Sequence, residues 1–408
     1  MSLPELEPPI LVQDTAGLDE LIHDLDGQSQ IAVDTEADSF FSYREKVCLV
    51  QITVEDRDYL VDPLADGVDL GRLGDMFADP DRTKVFHDSE YDVLLLKRNH
   101  GFEFAGLFDT RVAAATLGST SPGLASVLEE HFGVVLDKSQ QRSDWAQRPL
   151  SPKQVAYARL DTHFLLPLMA EQRRELEERD RLVIVESECR RLEALSPPRQ
   201  VQNPDEFVRI KGSRALDPSE RRILRELYIL REELAEGWNV PPFRVMNNPL
   251  LLQLARVKPR NAKQLGQVSG FTPRLVRKVG DKVLERVASA VEMPPIRNMP
   301  VLPKKDGTEG MNEVAMELYD RLKKWRKKVA EELCLESSYL MNRHVMARLA
   351  NEQPESLEQI SRVEGVESWQ VERFGEGLAR CLARFHDDLK AGRVPSESSW
   401  RGRRRRRN

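Results

Sequence analysis

Short apolar runs dominate the first half of the chain, and apolar residues at helical spacing dominate the second. Gln30-Ile31-Ala32-Val33 reads as a β-strand, and Val47-Cys48-Leu49-Val50-Gln51-Ile52 and Tyr59-Leu60-Val61 read as a hairpin around Glu55-Asp56-Arg57. A further strand, Lys84-Val85-Phe86, leads into a predicted helix from about Glu90 to Asn99, and helical patterns follow near 109–117, 123–132 and 151–179. Strands that come first and interleave later with helices predict an α/β or α+β domain, the former preferred, whose mixed sheet is flanked by helices.

The second half carries no strand pattern and repeats itself. Shifted by 95 positions without a gap, Arg231 falls on Arg326, Met246-Asn247 on Met341-Asn342, Leu254-Ala255 on Leu349-Ala350, Gly270 on Gly365 and Ala288 on Ala383. A register that runs unbroken for some 58 residues predicts two copies of one helical bundle. Proline-rich linkers at Leu195-Ser196-Pro197-Pro198 and from Met293-Pro294-Pro295 to about Gly310 divide the chain into three domains. The first spans 1–198, the two copies span about 214–293 and 311–390, and a basic tail occupies 394–408.

Charge separates the halves further. The net −6 conceals −17 over residues 1–200 and +11 over 201–408, counting Lys and Arg against Asp and Glu. A basic half can track a polyanion, whereas an acidic half needs cations to do so. The composition, 40% hydrophobic and 31% charged with no long apolar run, excludes a helical membrane protein. Acids near the N-terminus argue against an export signal, and Cys48, Cys189, Cys334 and Cys381 lack the spacing of a zinc site or a disulfide framework. A cytoplasmic protein is the resulting expectation, and tandem modules in one chain make it a monomer.

The acidic residues with chemical promise fall in three places. Asp34 and Glu36, just beyond the apolar end of the first strand and separated by one residue, point to the same face. Tyr157 and Asp161, four apart on a helix, also share a face, and Asp92 lies on the helix after His87. Four convergent carboxylates are untenable without cations. Two divalent ions, Mg²⁺ or Mn²⁺, bound by hard oxygen ligands are the usual solution for phosphodiester hydrolysis. Tyr157 is then placed to align or help deprotonate the attacking water.

In order and spacing these segments resemble the exonuclease domain of the ribonuclease D family, in the tyrosine branch of the DEDD superfamily. The first motif is Val33-Asp34-Thr35-Glu36, the second Val85-Phe86-His87-Asp88-Ser89-Glu90-Tyr91-Asp92, and the third Tyr157-Ala158-Arg159-Leu160-Asp161. Ala156 stands where the sister branch has a histidine. Further similarity lies in Phe108-Asp109-Thr110 and in Asp137 to Trp145. The resemblance implies a ribonuclease H-like 3′→5′ exonuclease domain with metal ligands at Asp34, Glu36, Asp92 and Asp161 and a water-positioning tyrosine at Tyr157. Asp88 adds a second acid beside Asp92, and the ligand is assigned to Asp92 on its offset from His87, which itself reads as structural.

The repeated unit resembles the HRDC domain, the helicase and ribonuclease D C-terminal module, so two all-α HRDC bundles are expected. Candidate RNA contacts are Lys138, Ser139 and Arg142 in the catalytic domain, Arg274, Arg277 and Lys278 in the first bundle, and Lys323, Lys324, Lys327 and Lys328 in the second. The arginine-rich stretch Arg401 to Arg407 is expected to hold RNA non-specifically. The leading expectation is a 3′→5′ exoribonuclease that releases nucleoside 5′-monophosphates and trims tRNA precursors or other structured RNA 3′ ends. The alternatives are a DNA exonuclease and a non-catalytic RNA-binding protein on the same fold.

Overall fold

The computed structural model describes residues 6–198, 202–303 and 307–394. A mixed six-stranded sheet is built from β1 (Ile10–Val12), β2 (Gln30–Ala37), β3 (Val47–Val54), β4 (Arg57–Val61), β5 (Thr83–Phe86) and β6 (Leu107–Asp109) in the order β1-β4-β3-β2-β5-β6. β2 runs antiparallel to β3 and parallel to β5, which places it in the interior of the sheet. Such a strand is covered on both faces, which explains its consecutive apolar residues Ile31, Ala32 and Val33. All eight residues of β3 are buried, the polar Gln51 and Thr53 included.

Around the sheet lie α1 (Thr15–Leu25), α2 (Gly74–Ala78), α3 (Glu90–His100), α4 (Thr110–Leu117), α5 (Leu124–Phe132), α6 (Pro152–His163), α7 (Leu165–Glu178) and α8 (Leu182–Glu193). The predicted hairpin turns at Glu55, which takes a left-handed conformation with φ of 52°. The single helical stretch predicted over 151–179 is two helices, broken at Phe164. Pro167 in the first turn of α7 has no N–H to continue the ladder, and its ring disfavours unbroken helix before it. The first strand also runs further than expected, so Asp34 and Glu36 belong to β2 instead of lying beyond it.

The second half is helical throughout its described residues. α9 (Pro218–Trp238), α10 (Pro242–Val245), α11 (Asn248–Val257), α12 (Ala262–Gly266) and α13 (Pro273–Glu292) form the first bundle. α14 (Glu313–Leu333), α15 (Ser337–Leu340), α16 (Arg343–Glu352), α17 (Leu357–Arg362) and α18 (Ser368–Lys390) form the second, each starting 95 residues after its counterpart. The repeat extends to backbone detail: Gly270 and Gly365 have φ of 88° and 87°, and the left-handed caps Asn239 and Lys258 recur as Cys334 and Gln353.

Two of the three units share a core. Tyr339 and Trp369 of the second bundle are buried in the apolar cluster of the catalytic domain, with Leu335 and Phe374 packed alongside. Polar contacts rim this seam: Glu367 accepts from Ser187 and pairs with Arg190, and Arg373 pairs with Asp180. The first bundle has its own core, joined by Phe207, Ile210 and Leu216 from the segment that precedes α9. It touches the loop after β2 through Tyr43, which packs against this core, with Arg44 paired to Glu236 and the Arg244 guanidinium 4.2 Å from the Phe41 ring centre.

Candidate active site

The C-terminal end of β2 carries Asp34 and Glu36 toward the helix that holds Asp161. Ser151 caps α6 in a reciprocal box with Gln154, and Pro152 opens its first turn, which fixes where the helix begins. A buried polar clamp then sets its position against the sheet. Thr53 of β3 donates its hydroxyl proton to Asp58 at 2.8 Å and accepts from the Thr162 hydroxyl at 2.7 Å, and Asp58 also accepts from Arg159 and lies 3.0 Å from His163 Nδ1. Burial alone pushes the Asp58 carboxyl up, yet the bonds from His163, Thr53 and Arg159 outweigh it and hold it below its ordinary value. With α6 clamped through these residues, Tyr157 and Asp161 meet the end of β2.

Carboxylate oxygens of Asp34, Glu36 and Asp161 lie within 4.8 Å of one another. Asp92, in the first turn of α3, stands beside this group with its carboxylate hydrogen-bonded by the Thr35 hydroxyl. All four carboxyls are pushed up. Burial is the main cause for Asp34, with repulsion from Asp92, Asp161 and Glu36 added. Burial and the charges of Asp161 and Asp92 take Glu36 to about 9. Asp92 reaches about 7 through burial, against the Thr35 bond, and Asp161 about 8 through burial, against a bond from Tyr157. Acids this perturbed and this close form a donor set suited to a hard divalent cation, whose charge favours the ionised forms.

The turn between β5 and α3 owes its shape to a residue whose role the sequence had not revealed. Asp109, at the end of β6 and 1% exposed, accepts from the Asp88 and Ser89 backbone N–H groups, the Ser89 hydroxyl, and the Arg111 and Val112 backbone N–H groups. It thereby caps α4 and secures the entry to α3, which orients Asp92. Asp88 is forced to a φ of 68°, its carboxylate exposed and 3.6 Å from Arg111. His87 Nδ1 lies 2.9 Å from Thr110 Oγ1, and burial takes its imidazole down to about 4, so it is neutral.

A cleft of about 300 Å³ opens over Asp34 and Asp161, with Tyr157, Lys138, Gln141 and Arg111 in its walls. Burial, then the charges of Asp161, Glu36 and Asp34, push the Tyr157 phenol far above its ordinary range, while a bond from Gln141 opposes them. Its ring packs 6.0 Å from that of the buried Trp145. Arg142 sits outside the cleft, its guanidinium 5.9 Å from the centre of the exposed Phe40 ring, and the Ser139 hydroxyl is tied to Asp137. Gln141 escaped notice in the sequence, although it lies within the stretch Asp137 to Trp145 that carries part of the resemblance.

None of the bundle residues proposed for RNA contact lines this cleft. Arg274 and Arg277 are exposed, and Lys278 Nζ stacks 3.4 Å from the centre of the Trp238 indole. Lys323 and Lys324 are exposed, whereas Lys327 and Lys328 pair with Glu331 and Glu332 one turn on. Trp325 packs against the core of the second bundle. The arginine-rich tail lies outside the described residues.

Sheet order, carboxylate cluster and tandem bundles together fit a metal-dependent nuclease domain followed by two copies of a helical module. The 3′-5′ exonuclease family model matches residues 9–177, and the HRDC domain model matches 220–287 and 315–382. Ribonuclease D of Gluconacetobacter diazotrophicus is 32% identical over 70% of this chain and 73% of its own length, and ribonuclease D of Pseudomonas paraeruginosa is 29% identical over 91% and 96%. The yeast exosome complex exonuclease RRP6 is 37% identical over 64% of this chain, but the match spans 37% of that larger protein. The crystal structure of Escherichia coli RNase D, described as an exoribonuclease involved in structured RNA processing, matches with a TM-score of 0.64 at 26% identity over 93% of this chain and 99% of its own. The chain belongs to the ribonuclease D family and is a 3′→5′ exoribonuclease.

Proposed function

We propose that this enzyme removes nucleotides one at a time from the 3′ ends of tRNA precursors and other structured RNAs, releasing nucleoside 5′-monophosphates by a two-cation mechanism. The observation that carries the proposal is the group formed by Asp34, Glu36 and Asp161, with Asp92 beside it. These four would hold Mg²⁺ or Mn²⁺, and ions bound there supply charge stabilisation to the attacking and leaving oxygens. Tyr157, held by Asp161 and Gln141, aligns the attacking water, and its raised phenol keeps its own proton. Lys138 in the cleft wall receives the phosphate chain, and Ser139 and Arg142, outside the cleft, contact it further along. Further from the chemistry, Arg274, Arg277 and Lys278 on the first bundle and Lys323, Lys324, Lys327 and Lys328 on the second grip the body of the RNA.

The enzyme works as a monomer in a reducing cytoplasm, in keeping with four cysteines that are all free thiols. No helix among the described residues is long and apolar enough to cross a membrane. The test compares a 3′-extended tRNA, an unstructured RNA and a matched DNA strand under Mg²⁺, Mn²⁺ and EDTA. Stepwise shortening of RNA that EDTA abolishes supports the proposal. Equal digestion of DNA makes it a general exonuclease, and binding without shortening under either metal leaves a binding protein.

A further inference from the structure

Gln51 is fully buried in β3, and neither its amide nitrogen nor its amide oxygen has a hydrogen-bond partner among the described residues. Leaving both ends of a buried amide unsatisfied opposes folding, so such a group calls for a reason. Its location supplies one. Gln51 is the direct cross-strand partner of Asp34 in the antiparallel β2–β3 ladder, and paired residues of such a ladder project to the same face. Two residues on, Thr53 shares that face and reaches Thr162 on α6, next to Asp161. The idle amide therefore lies in the floor of the carboxylate group, between the strand that carries Asp34 and the helix that carries Asp161.

We infer that Gln51 is a positioning residue for the cation-bound site: its amide N–H groups donate to the Asp34 carboxylate once that side chain is directed at a divalent ion. A carboxylate that ligates a metal needs its remaining lone pairs fixed by neighbours, and removing such a neighbour typically costs ten- to a hundredfold in metal affinity. Folding stability is thus given up in the metal-free protein and recovered as metal affinity. The inference rests on the metal-binding reading of the site.

The test uses the full chain with Gln51→Met and Gln51→Leu, which keep approximate volume and remove the amide. Two quantities are read: the melting temperature without divalent metal, and Mn²⁺ affinity from the loss of the free-ion electron paramagnetic resonance signal. The expected result is a metal-free melting point raised by about 2–5 °C, because an unsatisfied polar group is gone. Mn²⁺ affinity is expected to fall about tenfold or more in the same variants. Unchanged Mn²⁺ affinity overturns the inference, as does a lowered metal-free melting point or failure of both variants to fold, since either shows the amide serving the metal-free fold. If the unaltered protein binds no Mn²⁺, the metal-binding reading itself falls, a result distinct from normal binding by protein and variants alike.

Discussion

At the scale of single residues, the raised carboxyls link chemistry to stability with a definite sign. Asp92, Asp161 and Glu36 have folded values of about 7, 8 and 9, above their ordinary values in an unfolded chain. The folded state therefore binds more protons than the unfolded state between about pH 4 and 9, and stability must fall as pH rises through that window. Metal-free protein is expected to melt at a lower temperature at pH 8.5 than at pH 6, and Mn²⁺ should restore most of the difference, as read by scanning fluorimetry in a chelating and a metal-replete buffer. Glu36→Gln removes one charge from the cluster. It should flatten the metal-free pH profile and slow RNA shortening by about 10³-fold, the scale of several kcal/mol of lost charge stabilisation. Tyr157→Phe keeps the ring against Trp145 and loses only the hydroxyl. A fall in kcat of about 10²-fold with KM little changed is the expected outcome in single-nucleotide release assays, and an unchanged kcat would remove Tyr157 from the chemistry.

At the scale of elements, the site depends on how α3 and α6 are held. Asp109 gathers five donors, so Asp109→Ala strands several buried N–H groups and should cost about 3–4 kcal/mol in urea unfolding, with RNA shortening impaired as Asp92 loses its orientation. The elements themselves were largely legible before any coordinates. Alternation of one residue placed Asp34 and Glu36 on one face of a strand, and a helical turn did the same for Tyr157 and Asp161. Their convergence was not legible from spacing, since it depends on the sheet order and the Thr53–Asp58–Thr162 clamp, and the family resemblance supplied it instead. The three-residue strands β1 and β6 carry too few positions for a period to show, and α1 and α8 went unremarked. The break at Phe164 had a signal in Pro167 that the continuous apolar pattern around it masked.

At the scale of the whole molecule, the tandem copies have taken different places. Through the gapless shift of 95 positions, Tyr339 and Trp369, which bury the second copy against the catalytic domain, fall opposite Arg244 and Arg274 of the first, both exposed. One face of one fold is buried against the catalytic domain in the second copy and carries cations in the first, where Arg244 lies on the Phe41 ring and Arg274 is exposed. Trp369→Ala should therefore destabilise the catalytic domain as well as its own bundle, by about 3–5 kcal/mol, the cost of emptying a large buried aromatic site. Calorimetry would register it as a downward shift of the transition that contains the sheet. A shift confined to a separate helical transition would show that the shared core does not couple them. Arg274→Ala is expected to spare folding, reduce RNA affinity and make the salt dependence of binding shallower by about one ion, measured by fluorescence anisotropy across a salt series.

The burial of Tyr339 and Trp369 also has a meaning for how the polypeptide can be divided. Cutting after the first proline-rich stretch bares an apolar surface, so the segment holding every reactive group is expected to be less stable alone than with the second bundle. The body that shares this core is discontinuous along the chain, joining the nuclease lobe to the most distant of its helical neighbours, while the bundle between them keeps a core of its own.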